Sequence, residues 1–187
     1  MRNKDTNSEI NFKKLIKLAR NAIETKRIAT TDIKEKRGVF VTLYTFPEKT
    51  LRGCIGFAEP IFSLGEGIQR AAISAAYSDP RFKPLNENEF DKVIIEASIL
   101  SLPEETTLEE IKNGDGVILK YENASSLFLP QVWDEISNKN EFLSHLCLKA
   151  GLSPNCWRDK KVRFYKFYVT AYKEIAPNSE DIKEVKT

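Results

Sequence analysis

Phe12, Leu15, Ile16, Ala19, Ala22 and Ile23 recur at the intervals of one helical face, with Ser8 placed as an N-cap, and predict an amphipathic helix. After the charged loop TTDIKEKR the pattern changes. GVFVTLYTF is β-branched and aromatic without a helical stripe, and PEKT and LRGCIG behind it predict a β-hairpin. Ser63 and Glu66 predict a capping box opening a second helix. Its Leu64, Ile68, Ala71, Ala72, Ala75 and Ala76 form a narrow face of small residues that permits close packing. SDPRFKP ends that helix, because Pro80 and Pro84 disfavour helical backbone in the residues before them, and leaves Asp79 and Arg81 in a loop.

KVIIEASILS is apolar on both faces except where Glu96 and Ser98 share one side, which predicts a central strand. TLEEIKNGDG predicts a short helix or turn, and VILKYENASSLFLP a second hairpin around Asn123 to Ser126. EFLSHLCLKAGL predicts a helix closed by Gly151 as the residue after the cap, with Leu152 supplying the accompanying apolar contact. VRFYKFYVTAY predicts the last strand, and the polar KEIAPNSEDIKEVKT a loosely attached tail. Helices and strands mix without a regular βαβ alternation. The fold class expected is therefore α+β, a mainly antiparallel sheet with flanking helices, in a single domain over residues 8–173 with flexible tails at 1–7 and 174–187.

A chain of 187 residues is long enough to bury a core without staples. The three cysteines, Cys54, Cys147 and Cys156, are an odd number without paired metal spacing, and no segment has the form of a secretory leader. Reduced thiols, a cytoplasmic location, and no metal, cofactor or membrane are expected. The formal charge of +2 hides a division: residues 1–37 carry 11 Lys and Arg against 5 Asp and Glu, and residues 38–157 carry 10 against 17. Basic ends that meet in the fold would make a face for an anionic partner. Solvated surface lysines are the plainer expectation.

Strand alternation in LRGCIG puts Arg52 and Cys54 on one side, roughly 7 Å apart. A guanidinium there would favour the thiolate, the reactive form of cysteine, and the glycines would admit a ligand close to the backbone. Free cysteines are also commonly buried packing residues, and glycines serve close contacts or bulges. The only histidine, His145, projects about 200° from Cys147 on the predicted helix, so the two cannot share a metal ion. Cys147 falls at the edge of the apolar stripe, and Cys54 is expected to react with thiol reagents before it. RGVFVTLY places aromatics beside a basic residue, as RNA-binding sheets do, but lacks the signature spacing, and RFYKFYVTAY, though it interleaves aromatics with bases, has the composition of an ordinary core strand; nucleic acid is an improbable partner.

RGVFVTLY, LRGCIG, ISAAYSDPRF, IEASIL, LFLPQVW and EFLSHLCLKAGL, in this order and followed by Trp157, resemble the AMMECR family from about Phe12 to Tyr172. The resemblance implies a compact α+β fold of two unequal lobes with a cleft between them. It also implies Memo-like and radical SAM protein partners in prokaryotes, and it brings no established reaction. The family's signature polar residues fall on Arg52, Cys54, Asp79, Arg81, Glu96 and Gln131.

These residues suggest a small-ligand or thiol-dependent site. Cys54 and Glu96 are then the catalytic candidates, and Arg52, Asp79, Arg81 and Gln131 the substrate-binding ones. The alternatives are a non-catalytic protein-interaction adaptor, in which Arg81 pairs structurally with Asp79 or Glu96, and a nucleic-acid-binding module. Arg81, stiffened between two prolines, is expected to be a ligand contact.

Overall fold

A computed structural model describes residues 10–185. The elements in chain order are α1 Phe12–Thr25, β1 Val39–Thr45, β2 Leu51–Phe57, α2 Leu64–Tyr77, β3 Val93–Leu100, β4 Glu104–Thr106, β5 Gly116–Tyr121, β6 Ala124–Phe128, α3 Val132–Glu135, α4 Lys139–Lys149, β7 Arg163–Phe167, β8 Val169–Glu174 and β9 Ile182–Val185. Two 3-10 turns, Glu87–Lys92 and Cys156–Arg158, precede β3 and β7. The strands form two sheets, β2-β1-β3-β8-β9 and β4-β7-β5-β6, and the pairings β1–β2, β1–β3, β8–β9, β4–β7, β5–β6 and β5–β7 are antiparallel. This is an α+β fold.

Contacts divide the described residues into two compact units, 10–99 with 171–185, and 100–170. In the first, the buried stripe of α1 (Leu15, Ile16, Ala19 and Ile23) and the small face of α2 (Ala71, Ala72, Ala75 and Ala76) pack with Val39, Val41 and Leu43 of β1 and with Ile95 and Ala97 of β3. β3 lies between β1 and β8, the central position its two-sided apolar pattern calls for. α1 is capped by the Asn11 side chain, which accepts from Lys14 N; Ser8 lies outside the described residues. α2 is capped by Ser63, but Glu66 does not complete the box: its carboxylate accepts from Arg70 one turn on.

In the second unit, Trp133 stacks on Phe142 with ring centroids 3.8 Å apart, in a core with Val117, Leu119, Leu143 and Leu146. α4 ends as its sequence requires. Gly151 has a positive φ of 74°, its N–H donates to Leu148 O, and Leu152 N–H reaches back to Cys147 O.

Four expectations are corrected. VRFYKFYVTAY is two strands, since the chain leaves β7 at Phe167 and enters β8, in the other sheet, at Val169. The segment after Glu174 is not a loose tail through its length, because β9 pairs with β8 and Ile182 packs on the first core. The second hairpin turns at Glu122 and Asn123, where Glu122 takes a φ of 50°, so that Ala124 already pairs with Tyr121. Cys147 and Cys156 are joined in a disulfide rather than reduced. This cross-link ties α4 to the Cys156–Arg158 turn over a separation of 9 residues. Closing so short a loop restricts the unfolded chain modestly, and reduction is expected to lower the second unit's stability by about 2–3 kcal/mol. Thermal melts with and without dithiothreitol, which should leave the first unit unaffected, check this.

Candidate functional site

With Val39, Val41 and Leu43 of β1 turned into the first core, alternation sets Phe40, Thr42 and Tyr44 on the other face of the sheet. Glu96 and Ser98 take the same face of β3, because Ile95, Ala97 and Ile99 are core. Thr42 is the partner of Cys54 across β1–β2 and of Glu96 across β1–β3. Cys54, Thr42 and Glu96 therefore form one row over three neighbouring strands. Thr42 Oγ1 donates to Cys54 Sγ at 3.2 Å, and Glu96 Oε2 meets Lys173 Nζ of β8 at 3.6 Å. The Lys173 ammonium also lies 5.4 Å from the Tyr44 ring centroid.

β2 is an edge strand, so the backbone of Cys54 has no neighbouring strand on its outer side. A side-chain pair takes that place. Cys54 N–H donates to Asp79 Oδ2 at 2.8 Å, and Cys54 O accepts from Arg81 Nη2 at 3.3 Å. Arg81 meets Asp79 fork to fork, Nε to Oδ1 at 3.0 Å and Nη2 to Oδ2 at 2.7 Å, and its backbone N–H also reaches Oδ1. The Asp79 side chain is 2% exposed and that of Arg81 54%. The loop after α2 thus closes the strand edge with a buried carboxylate whose cation faces outward.

Arg52 is occupied elsewhere. Its Nε and Nη2 donate to the two oxygens of Glu89 in the 3-10 turn before β3, at 2.8 and 3.2 Å, while its buried Nη1 has no partner. Its charge is matched by Glu89 rather than left to act on the thiol. The glycines of LRGCIG are explained by packing. A Cβ on Gly53 would lie 2.2 Å from Ala75 O of α2, and one on Gly56 2.4 Å from the Phe40 ring. The small face of α2 and Gly53 together let that helix approach the sheet.

Burial pushes the Glu96 carboxyl above the ordinary glutamate value, and Lys173 pulls it partly back. Burial likewise raises Tyr44, with the negative charges of Glu96 and Cys54 adding to it, which puts the phenol in the field of both groups. Hydrogen bonding from Arg81 holds Asp79 well below the usual carboxylate range, and hydrogen bonding from Arg52 lowers Glu89.

The structure thus brings five of the six sequence-predicted residues into the first unit: Cys54 and Glu96 in one row, Asp79 and Arg81 at the Cys54 backbone, and Arg52 on the same strand. Gln131 belongs to the second unit, exposed at the start of α3 with no capping hydrogen bond from its side chain. His145, on α4 of that unit, stands 3.9 Å from Glu141. Sequence reasoning missed Thr42, Tyr44 and Lys173. The alternation in VTLYT carries the first two, but nothing in the sequence marks Lys173. Two hollows of the first unit, about 450 Å³ beside Asn21, Thr25 and Ile28 and about 610 Å³ beside Lys13, Lys17 and Asn178, contain none of these residues.

The family model described as AMMECR1 matches residues 14–172. The protein MJ0810 of Methanocaldococcus jannaschii is 46% identical over 163 residues, covering 80% of this chain and 79% of its own. Ta0236 of Thermoplasma acidophilum is 49% identical over 152 residues, 77% of this chain and 74% of its own. The crystal structure of the uncharacterized protein PH0010 from Pyrococcus horikoshii superposes with a TM-score of 0.74 at 38% identity, covering 94% of this chain and 96% of that one.

Proposed function

Because the chain belongs to the AMMECR1 family, whose members bring no established reaction with them, we propose a function from the site itself: a thiol-dependent site for a small ligand on the polar face of the first unit's sheet. The observation that carries the reading is the row Cys54, Thr42, Glu96. The Thr42 hydroxyl, hydrogen-bonded to the Cys54 sulfur, fixes its direction on the open face of the sheet. Glu96, shifted toward neutrality, supplies the acid–base group that LRGCIG lacks on its own. Cys54 is then the nucleophile or ligand contact, Thr42 its positioning residue, and Asp79 and Arg81 hold its backbone. Memo-like and radical SAM proteins are the partners we propose for this chemistry.

The test is alkylation of Cys54, the free thiol, by iodoacetamide as a function of pH. Thr42→Val is expected to slow the reaction several-fold at neutral pH. The parent's rate profile should show, besides the thiol titration, an inflection on the acid side above the ordinary carboxylate range, and Glu96→Gln should remove it. A single titration curve unchanged by both substitutions would end the proposal.

The second reading is the adaptor, and a specific observation favours it: Asp79 with Arg81 and Arg52 with Glu89 use most of the signature charges to fix an edge strand and its loops. Under it Cys54 is inert and Cys54→Ala leaves every binding partner in place. The nucleic-acid reading loses its footing on the ends of the chain. They do meet beside α1, yet Lys13 and Lys14 face Asp181 and Asp32, and Glu24 and Glu180 line the same hollow.

A further inference from the structure

The row of polar side chains continues past Glu96 across the remaining two strands of the sheet. β8 follows β3 and β9 follows β8, and Lys173, already 3.6 Å from Glu96, is paired in the β8–β9 ladder directly with Lys183. Partners in an antiparallel ladder share a face, so both lysines stand on the face that carries Cys54. Like charges directly opposite one another destabilise a strand pair. Register does not relieve the conflict, since the neighbouring Glu184 pairs with Tyr172, whose ring packs on Phe12 at the core side. Glu96 is the carboxylate that faces Lys173, and burial draws that group toward its neutral form. No ion pair among the described residues involves Lys183.

An exposed lysine on an edge strand guards against unwanted pairing, which would account for Lys183 alone. It does not account for Lys173, which lies on an inner strand with 24% of its side chain exposed. Two ammonium groups on one sheet face, with the Glu96 carboxylate facing only one of them, are an arrangement that an added anion completes.

We infer that the site takes a small organic acid whose carboxylate or phosphate lies between Lys173 and Lys183 and whose other end reaches Cys54. The inference rests on the thiol-dependent reading and names its substrate class. Three strand spacings separate β2 from β8, ~14 Å between backbones. Part of that distance is covered by the lysine stem and the cysteine side chain, so the ligand is a chain of several carbons rather than a one- or two-carbon acid. Tyr44 stands on the same face, with its ring against Lys173.

The probes are matched alkylating agents applied to the full chain: ω-bromohexanoate against its neutral amide, with iodoacetate against iodoacetamide as the short pair. Bromohexanoate is expected to modify Cys54 several-fold faster than its amide, relative to the same pair acting on the urea-unfolded chain. The short pair should show no such preference. Lys183→Gln, an exposed substitution, should reduce the excess, and Lys173→Gln with Lys183→Gln should abolish it. Equal rates for the long pair, or an excess that survives both substitutions, overturns the inference.

A second measurement does not depend on the thiol. In Cys54→Ser, millimolar succinate or inorganic phosphate should raise the thermal midpoint, and the lysine double variant should lose the rise; whichever anion acts tells carboxylate from phosphate. No rise with either anion overturns the anion inference. Cys54 inert to all four reagents, with the rise intact, removes the thiol reading and leaves the anion site standing.

Discussion

Replacing Arg20 by methionine is expected to destabilise the first unit by about 3–5 kcal/mol, the cost of leaving a buried charge without its partner. Arg20 lies on the buried face of α1, and its Nε donates to Glu174 Oε1 at 2.9 Å while Nη2 donates to Oε2 of the same carboxylate. Nη1 and Nη2 also donate to Phe90 O at 3.0 Å and Val93 O at 2.9 Å, and Glu174 Oε2 accepts from Ile95 N. One guanidinium thus ties α1 to β8, to the entry of β3 and to the turn before it. Burial pushes the Glu174 carboxyl up even with Arg20 present, and the Arg20 hydrogen bonds pull it back.

Without Arg20 the upward push of burial is opposed only by the Ile95 N–H. A group whose folded value is raised contributes stability below its unfolded value, and that contribution is lost as pH rises through the folded one. The deficit of Arg20→Met should therefore be full at neutral pH and shrink toward pH 4. Arg20→Met combined with Glu174→Leu should recover most of it, because a buried ion pair replaced as a unit by apolar groups costs little. Urea melts of the parent and both variants at pH 7 and pH 4 read this out. A single variant as stable as the parent would mean that the pair contributes nothing.

α1, α2, α4 and the first hairpin were legible because each carries a local signal: the α1 stripe, the Ser63 cap, the change to β-branched residues at Val39, and the Gly151 terminus, whereas the single turn of α3 was not foreseen. What failed to show is tertiary. RFYKFYVTAY is apolar and aromatic throughout, so no local feature marks Tyr168 as the place where the chain changes sheets. An edge strand such as β9 needs one inward residue, Ile182, and its polar remainder reads as a tail. Cys156 reaches Cys147 through the reversal after Gly151, which spacing alone does not foretell.

The site divides the same way. Alternation in LRGCIG sets Arg52 and Cys54 on one side, but the ladder shifts register at Arg52, Gly53 pairing with Leu43 and Leu51 with Tyr44, and neither that irregularity nor the strand beside β2 is written in the hexapeptide. Because β1 intervenes between β2 and β3, Thr42 separates Cys54 from Glu96. Arg52 finds Glu89 in a stretch, NENEFDK, that shows neither a helical stripe nor strand alternation. Arg20 was recoverable: it is four residues after Ile16 and three before Ile23, inside the apolar stripe, where an arginine needs a buried partner.

Asp79→Ala is expected to cost about 2–3 kcal/mol and to lower the thermal midpoint by roughly 5–10 °C, the loss attached to a buried carboxylate that accepts several hydrogen bonds in a chain of this length. The substitution strips the Cys54 N–H and the Arg81 N–H of their acceptor and turns the Arg81 fork loose at the edge of β2. The deficit runs with pH as that of Arg20→Met does, although the shift behind it is opposite in sign, lowered for Asp79 and raised for Glu174. Arg81 depresses the Asp79 value in the fold, so Asp79 contributes stability above its unfolded value of ~3.9, and that stability is lost as pH falls toward the folded one. Parent and variant should thus differ fully at neutral pH and converge in acid.

Arg81→Ala should lower the midpoint as well, since it leaves the buried carboxylate without its cation. Arg81→Lys should not restore it, because an ammonium cannot meet both carboxylate oxygens and Cys54 O in the geometry of the guanidinium fork. Loosening the edge also loosens the thiol. In Asp79→Ala, iodoacetamide should modify Cys54 with the Thr42-dependent rate advantage diminished, since the strand that holds the sulfur against Thr42 Oγ1 is no longer pinned on its outer side. An unchanged midpoint at pH 7 would show that the edge of β2 stands without Asp79, and the positioning of Cys54 would then have to come from Thr42 and the close contact of Gly53 with α2.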